Sequence, residues 1–280
     1  MTDISNEKRR LLKIFAKTYC NLLDSNSCQK KPCSCAIAAE YRAFLNKTIP
    51  EGYRRFSIRD FHGKLNDKDS LNAKVAMEAK KKVLEYCWSG QNLIERLALM
   101  SDSDLDKASR MSERIKNGDN VIIHGDSKRK VKANPSLTTN RVVEVPTGRT
   151  FVASIITKEA IKMRLDAEFR YMGYEWIEFN SLVQKLTHDP ENSHYETCNW
   201  LVIDDILPSV LTGSVQQKAF LQPIWDSFFL SRLREKLPTV LVFKFDINNA
   251  LNELESIFGS SWTRIINNKR TCQINLTEKE

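Results

Sequence analysis

Leu201-Val202-Ile203 runs without interruption into Asp204-Asp205, directly after Trp200. A short, unbroken apolar run of this kind reads as a strand covered on both faces, as strands of a parallel sheet are. Two adjacent carboxylates at its end cannot both be buried without compensation, because desolvating a lone carboxylate is very costly. Their natural place is the crevice beyond the strand's carboxyl end, where open α/β sheets take their ligands. Carboxylate oxygens there suit Mg²⁺ or its waters, and through the metal a nucleotide phosphate. Hydrophobic runs ending in Asp-Asp also cap ordinary strands, so the surrounding elements have to decide.

Those elements change character along the chain. From Ser5 to about Leu23 the residues Leu11, Leu12, Phe15, Tyr19, Leu22 and Leu23 recur at helical spacing, with Ser5-Asn6 as a cap. A cysteine-rich loop from Asp24 to Cys35 precedes a second helix, Ala36 to Leu45. Lys47 to His62 is irregular and broken at Ile49-Pro50. Asp69 to Trp88 is rich in good helix formers, and Asn92 to Met100 and Asp102 to Lys116 add two amphipathic helices. Asn117-Gly118-Asp119 is a stop signal. Beyond it the pattern becomes strand and helix in alternation. The strands are Asn120 to His124, Arg141 to Val145, Glu175 to Phe179, Asn199 to Ile206, Thr239 to Phe245 and Thr271 to Leu276. The helices are Phe151 to Tyr171, Ser181 to Thr187, Ala219 to Lys236 and Ala250 to Ile266. Such alternation predicts a parallel sheet with helices on both faces. The expected division is a small helical module over residues 1–48, a helical lead-in over 49–116 and an α/β core over 117–280.

The N-terminus, Met1-Thr2-Asp3-Ile4, has neither the basic start nor the apolar core of a signal peptide, and no apolar run approaches the ~18 residues of a membrane span. We therefore expect a cytoplasmic protein with no membrane partner. In that compartment seven cysteines favour thiols or metal ligands over disulfides. A formal net charge of +8 fits a polyanionic partner such as nucleic acid.

Pro146-Thr147-Gly148-Arg149-Thr150 opens the long helix at Phe151. A phosphate-binding loop ends in Gly-Lys-Ser/Thr at this point: its amides cradle phosphates, its lysine reaches the outer ones, and its hydroxyl binds Mg²⁺. Gly148 and Thr150 fit, and Arg149 stands in the lysine position. Arginine keeps the charge but presents a planar fork, so the exchange is not conservative. Gly125 supplies the loop's first glycine only if Asp126 to Val145 is an insertion. The other reading is a plain helix N-terminus. Further on, Thr239 to Phe245 is followed by Asp246 and Asn248, either sensors of an outer phosphate or a turn and a helix cap. Arg264 is either a surface residue or an arginine finger reaching a neighbouring subunit's nucleotide.

At these residues the chain resembles a family. Ile49-Pro50-Glu51-Gly52-Tyr53-Arg54 to Asp60-Phe61 is similar to the segment preceding the ATPase core in DnaC-type helicase loaders and IstB-type transposition ATPases. Asn117 to Gly125 resembles their entry into the first core strand, Leu201 to Ile206 their Walker B strand, and Phe258-Gly259 to Arg264-Ile265 their terminal box. The resemblance spans roughly residues 49 to 276. It implies an AAA+ P-loop-type α/β core that binds ATP or ADP with Mg²⁺ and assembles, as a homo-oligomer or otherwise, on a DnaB-type replicative helicase or another replication or recombination protein. It also implies contact with single-stranded DNA and a bacterial or phage setting. By the same resemblance Asp204 orients Mg²⁺, Asp205 a water, Gly148, Arg149 and Thr150 the phosphates, and Arg264 acts in trans. Arg149 and the interrupted loop imply weak or absent hydrolysis. An IstB-like transposition regulator and a catalytically dead adaptor or DNA-bound scaffold are the alternatives.

Two basic or thiol-rich features remain. Lys128, Arg129, Lys130 and Lys132, with Arg141, make the stretch before the long helix a candidate grip on nucleic-acid phosphates; a solvated basic loop is the plainer reading. Cys20, Cys28, Cys33 and Cys35 fall within sixteen residues and provide four thiolates for Zn²⁺ or an Fe–S cluster, although their spacing fits no standard finger. Cys87, Cys198 and Cys272 stand alone and read as packing residues. His188 and His194 lie in a loop without a partner pattern. Trp176, Trp200, Trp225 and Trp262 fall in or beside core elements.

Overall fold

The computed structural model describes residues 42, 43, 45–54, 56, 73–87, 113–125, 128–131, 141–144, 148–168, 173–188 and 194–277. The cysteine cluster at 20–35 and the helix read at 92–100 lie outside them. Strands β1 (Val121–His124), β4 (Tyr174–Glu178), β5 (Trp200–Ile206), β6 (Thr239–Phe243) and β7 (Cys272–Asn275) form one sheet in the order β4-β5-β6-β1-β7. Every pairing in it is parallel. A second, two-stranded antiparallel ribbon joins β2 (Lys128–Val131) to β3 (Arg141–Glu144). The helices include α1 (Ala73–Cys87), α2 (Glu113–Lys116), α3 (Arg149–Glu168), α4 (Phe179–His188), α5 (Val215–Arg234), α6 (Leu251–Phe258) and α7 (Ser260–Ile266). None is long and apolar enough to cross a membrane.

Strand side chains alternate between faces, and the two faces bury separate cores. Val121, Ile123, Val202, Val240, Val242 and Ile274 pack with α3 and α1, while Ile122, Leu201, Ile203, Leu241 and Phe243 pack with α4, α5, α6 and α7. Right-handed crossovers explain the segregation. The connection from β1 to β4 travels across the sheet in one direction and carries α3 over one face. The returns from β4 to β5, β5 to β6 and β6 to β7 travel the other way and lay their helices on the opposite face. The switch point therefore falls between β1 and β6, neighbours whose following helices part to opposite sides. In open α/β sheets the ligand crevice lies beyond the carboxyl ends of such strands.

The first core draws in sequence from far upstream. Leu45 and Ile49 belong to it, as do Ala76, Ala79, Val83 and Leu84 of α1. Helix α3 is sheathed on all sides over residues 151–161, including Ser154, Thr157, Lys158 and Glu159. Two of its buried polar groups fix the neighbouring elements: Thr157 Oγ1 accepts from Trp200 Nε1 at 3.2 Å, and Lys158 Nζ donates to the carbonyls of Tyr53 at 2.7 Å, Arg54 at 2.9 Å and Phe56. The ammonium thereby ties the irregular 49–56 segment onto the helix that begins at the crevice. In the second core Trp225 stacks on Phe179 and Phe229, and Phe258 meets it edge-on at 5.4 Å. Trp200, Trp225 and Trp262 are buried and Trp176 packs against the first core, which assigns the tryptophans to packing.

Three elements differ from the sequence reading. Ala250 to Ile266 is two helices, because Gly259 (φ 76°) turns the chain and Asp226 of α5 accepts from Ser261 N at 2.7 Å, capping the second helix. Strand β2 falls in what reads as a polar basic stretch; it exists as the partner of β3, with Lys128 opposite Glu144 in the register. Helix α5 starts at Val215 and continues through Pro223, its N-terminus fixed by Ser214, whose hydroxyl accepts from Gln217 N.

Cys87, Cys198 and Cys272 are buried free thiols. Burial pushes the Cys272 thiol up to about 11 from an ordinary 9.0, against the lowering pull of Arg114 and Lys82. A raised folded-state pKa contributes stability that is intact below the unfolded value and lost as pH rises through the folded one. Between pH 9 and 11 we expect about 2–3 kcal/mol to be lost on this account, and Cys272→Val to flatten that limb of a denaturation-versus-pH curve. A Cys272→Val variant with an unchanged alkaline slope would refute the assignment.

Candidate functional site

Three separate stretches of chain meet beyond the carboxyl ends of β5 and β6. Gly148 (φ 71°) precedes α3, and its carbonyl accepts the first helical bond from Val152 N at 2.9 Å. Thr150, in the first turn, places its hydroxyl 3.4 Å from Asp204 Oδ1. Tyr53, from the segment tied down by Lys158, lies near Thr150 and feels the Asp204 carboxylate. Burial raises its phenol pKa, with Asp204 adding to the rise and Thr150 opposing it.

Asp204 is 6% exposed and Asp205 is half-exposed. The strand is irregular here, its register with β6 slipping between Ile203 and Ile206. Asp205 adopts φ 62°, and its amide donates to Asp204 Oδ1 at 2.7 Å. The paired acids are therefore locked to each other, the first turned into the site and the second toward solvent.

Lys244 is the residue that the sequence reading passed over. It follows β6 directly, and its amide donates to Ile206 O at 2.8 Å. Its Nζ donates to Thr150 Oγ1 at 2.8 Å and stands 3.4 Å from Asp204 Oδ1 and 3.7 Å from Asp205 Oδ1. The signal available in the sequence was its place as the first polar residue beyond a strong apolar strand. Extending that strand to Phe245 hid it.

Arg149 does not extend into this cluster. It is buried, and its guanidinium donates to Gly125 O at the end of β1. Gly125 N in turn donates to Phe245 O at 3.1 Å. Gly125 and Arg149, which flank the Asp126–Val145 stretch in sequence, are thus brought together. Asp246 and Asn248 sit on the β1 side of the switch point. Asp246 caps the short 3-10 turn Ile247–Asn249, accepting from Asn248 N at 3.0 Å, and also accepts from Thr277 Oγ1 and contacts His124 Nδ1 at 3.1 Å. Burial holds the His124 pKa below its ordinary value, against Asp246, so the ring is neutral near pH 7. Facing a carboxylate, its Nδ1 carries the proton. Burial alone would raise Asp246; the Asn248 amide first, then His124 and Thr277, bring it below the ordinary carboxylate value. With the imidazole neutral, the amide and hydroxyl account for that shift better than a charge on His124 does.

Arg264 is exposed on α7. Lys128, Arg129 and Lys130 lie on strand β2; Lys132 lies outside the described residues, as do Pro146, Thr147 and the four clustered cysteines. His194 pairs with Glu175 at 3.5 Å.

The donor set can be compared with the Mg²⁺-nucleotide that the sequence implies. A threonine hydroxyl and a carboxylate are the hard oxygen ligands that Mg²⁺ takes. An ion held ~2.1 Å from Thr150 Oγ1 would, however, lie within about 5 Å of the Lys244 ammonium, a repulsion on the order of 5 kcal/mol at an effective dielectric of ~20. As arranged, the residues fit a phosphate-bearing ligand better than they fit a divalent cation.

No protein-family model matches the chain, and no curated protein matches it. Among solved structures it is similar to a crystal structure of DnaI, with a TM-score of 0.45 and 15% identity over 82% of this chain and 95% of that one. It is also similar to a protein of Streptococcus pyogenes serotype M3 provisionally described as a primosome component, with a TM-score of 0.44 and 11% identity over 84% of this chain and 93% of that one.

Proposed function

We propose that this chain is a DnaC-like helicase loader or replication accessory protein. Its α/β core carries a phosphate-binding crevice used for assembly rather than for turnover. The observation that carries the reading is the meeting of Tyr53, Thr150 and Asp204. Tyr53 and Asp204 come from two of the stretches whose sequence resembles the loaders, the Ile-Pro-x-x-Tyr-Arg segment and the acid-ended strand, and Thr150 from the phosphate-loop-like turn that opens the long helix. Any parallel sheet puts a helix-opening turn and a strand end on one edge, but it gives no reason for Tyr53, from about a hundred residues upstream, to join them.

Arg149 and Lys244 favour weak or absent hydrolysis. The guanidinium in the lysine position is engaged with Gly125 O, and losing a positioned phosphate contact commonly lowers phosphoryl-transfer rates by orders of magnitude. In this reading the N-terminal helices contact a DnaB-type helicase and the basic ribbon contacts single-stranded DNA. Arg264 would serve a neighbouring protomer in the assembly.

The test is co-elution of the full chain with a hexameric replicative helicase, together with ATP and ADP titrations. Co-elution supports the reading. No association with helicase, combined with binding to a transposase, would replace it with the IstB-like alternative. For the DNA contact, changing Lys128, Arg129, Lys130 and Lys132 together to glutamate is expected to weaken binding to a single-stranded oligonucleotide at least tenfold. The log–log salt slope should fall by about 2–3, near 0.7 per phosphate contact. An unchanged slope in fluorescence anisotropy removes the ribbon from the interface.

A further inference from the structure

We propose that the Lys244 ammonium is the resident cation of this crevice, standing where a divalent ion would bridge Thr150 and Asp204, so that a polyphosphate bound here is held without Mg²⁺. This deepens the phosphate-binding reading above and rests on it for the identity of the ligand.

The geometry points to the substitution from three sides. The two oxygens best suited to a metal, Thr150 Oγ1 and Asp204 Oδ1, are the two that Lys244 Nζ approaches most closely, at 2.8 and 3.4 Å. The position is built. Lys244 is fixed by its backbone bond to Ile206 O, at the place where β5 slips register against β6, so both acids and the lysine are set by the same irregularity. Charge supplies the third: Asp204 and Asp205 bring two negative charges into one corner, and the ammonium, within 4 Å of both, offsets one of them.

An ammonium is a compact point charge with three donors and no acceptor. Thr150 takes one donor at hydrogen-bond distance, while Asp204 and Asp205 at 3.4 and 3.7 Å stand beyond the ordinary N–H···O range, so ligand oxygens that approach more closely can take the remaining donors. The side chain is 21% exposed, so it reaches the crevice surface. What an ammonium cannot do is coordinate a water and lower its pKa as a metal does. A site with this cation neutralises phosphate charge and orients it, and is poor at activating water. The weak hydrolysis expected from Arg149 thus acquires a second, independent cause.

The experiment has two arms on the full chain. In the first, ATP affinity is measured by calorimetry in EDTA and in excess MgCl₂. The wild type is expected to bind with affinities within about threefold of each other, and Lys244→Ala to become Mg²⁺-dependent by tenfold or more. In the second, Mn²⁺ alone is titrated and followed by electron paramagnetic resonance, with no nucleotide present. The wild type is expected to take up no Mn²⁺ at the crevice. Lys244→Ala should gain a site that Lys244→Ala/Asp204→Asn loses again. If Lys244→Ala does not fold, Lys244→Met, which keeps the stem, replaces it. Tenfold tighter ATP binding with Mg²⁺ in the wild type, Mn²⁺ uptake by the wild type, or no Mn²⁺ gain in the lysine variant would each overturn the proposal. Absence of ATP binding in both buffers would sink the nucleotide reading instead, and the Mn²⁺ arm would still decide the role of Lys244.

Discussion

Arg232→Ala is expected to remove about 4 kcal/mol of stability, a large part of what a domain possesses. Arg232 lies in the last turn of α5 and is 1% exposed. Its Nε donates to Thr239 Oγ1 at 2.8 Å, one terminal nitrogen to the carbonyls of Tyr195 at 2.6 Å and Cys198 at 2.9 Å, and the other to Pro238 O at 2.9 Å. Burial lowers its pKa, with Cys198 opposing, yet a guanidinium remains charged in any protein. The carbonyl dipoles solvate that charge and stitch the turn before β5 to the start of β6. Alanine withdraws the guanidinium from these acceptors; Pro238 O keeps the Leu201 amide and Tyr195 O the Cys198 thiol, while the others lose a buried partner at roughly 1–3 kcal/mol each before relaxation, and a cavity opens besides. Removal of the buried charge offsets part of this sum. Arg232→Met refills the volume without the donors and should recover only about 1 kcal/mol. Guanidinium denaturation measures both; a loss under about 1 kcal/mol for alanine would mean that water replaces the guanidinium at these carbonyls.

Gly118→Ala is expected to cost about 3–4 kcal/mol through a different cause. Gly118 has φ 72°, and a Cβ there would lie 2.2 Å from the Lys236 carbonyl carbon and 2.3 Å from its oxygen. The obstacle is backbone, itself in a left-handed conformation at Lys236 (φ 53°), so no side chain can swing aside. Relief requires the α5–β6 turn to move away from the entry to β1, at the centre of the sheet. Gly52→Ala is the control: nothing lies within 4 Å of its Cβ position and its φ is not positive, so its stability should change by well under 1 kcal/mol. Equal effects at the two positions would show that neither the close approach of Lys236 nor the left-handed torsion costs stability at Gly118.

The strands were legible because each is an apolar run too short for a helix, with turn residues at its borders. Their spatial order was not, since nothing in Val121–His124 says that its neighbours are β6 and β7; that follows only when crossover handedness is applied to the assembled chain. Thr150 and Asp204 could be paired from chain order alone, because a helix-opening turn and an acid-ended strand share one end of a parallel sheet. Lys244 escaped because apolar character continues past it to Phe245, whereas the ladder ends at Phe243. The break at Gly259 escaped for a long-range reason: the cap for the second helix comes from Asp226, on another element. Asp246 and Asn248 were read from position after a strand, a signal that a capped turn produces equally well.

The left-handed backbone of Asp205 constrains any redesign of this crevice. Asparagine and aspartate visit that conformation more readily than residues with longer side chains, since their short polar groups find local partners. Lengthening the acid by one methylene, as Asp205→Glu does, would therefore act against the torsion that keeps the neighbouring carboxylate aimed inward. The reach of the second acid and the poise of the first are set by a single peptide unit, and improving one draws on the other.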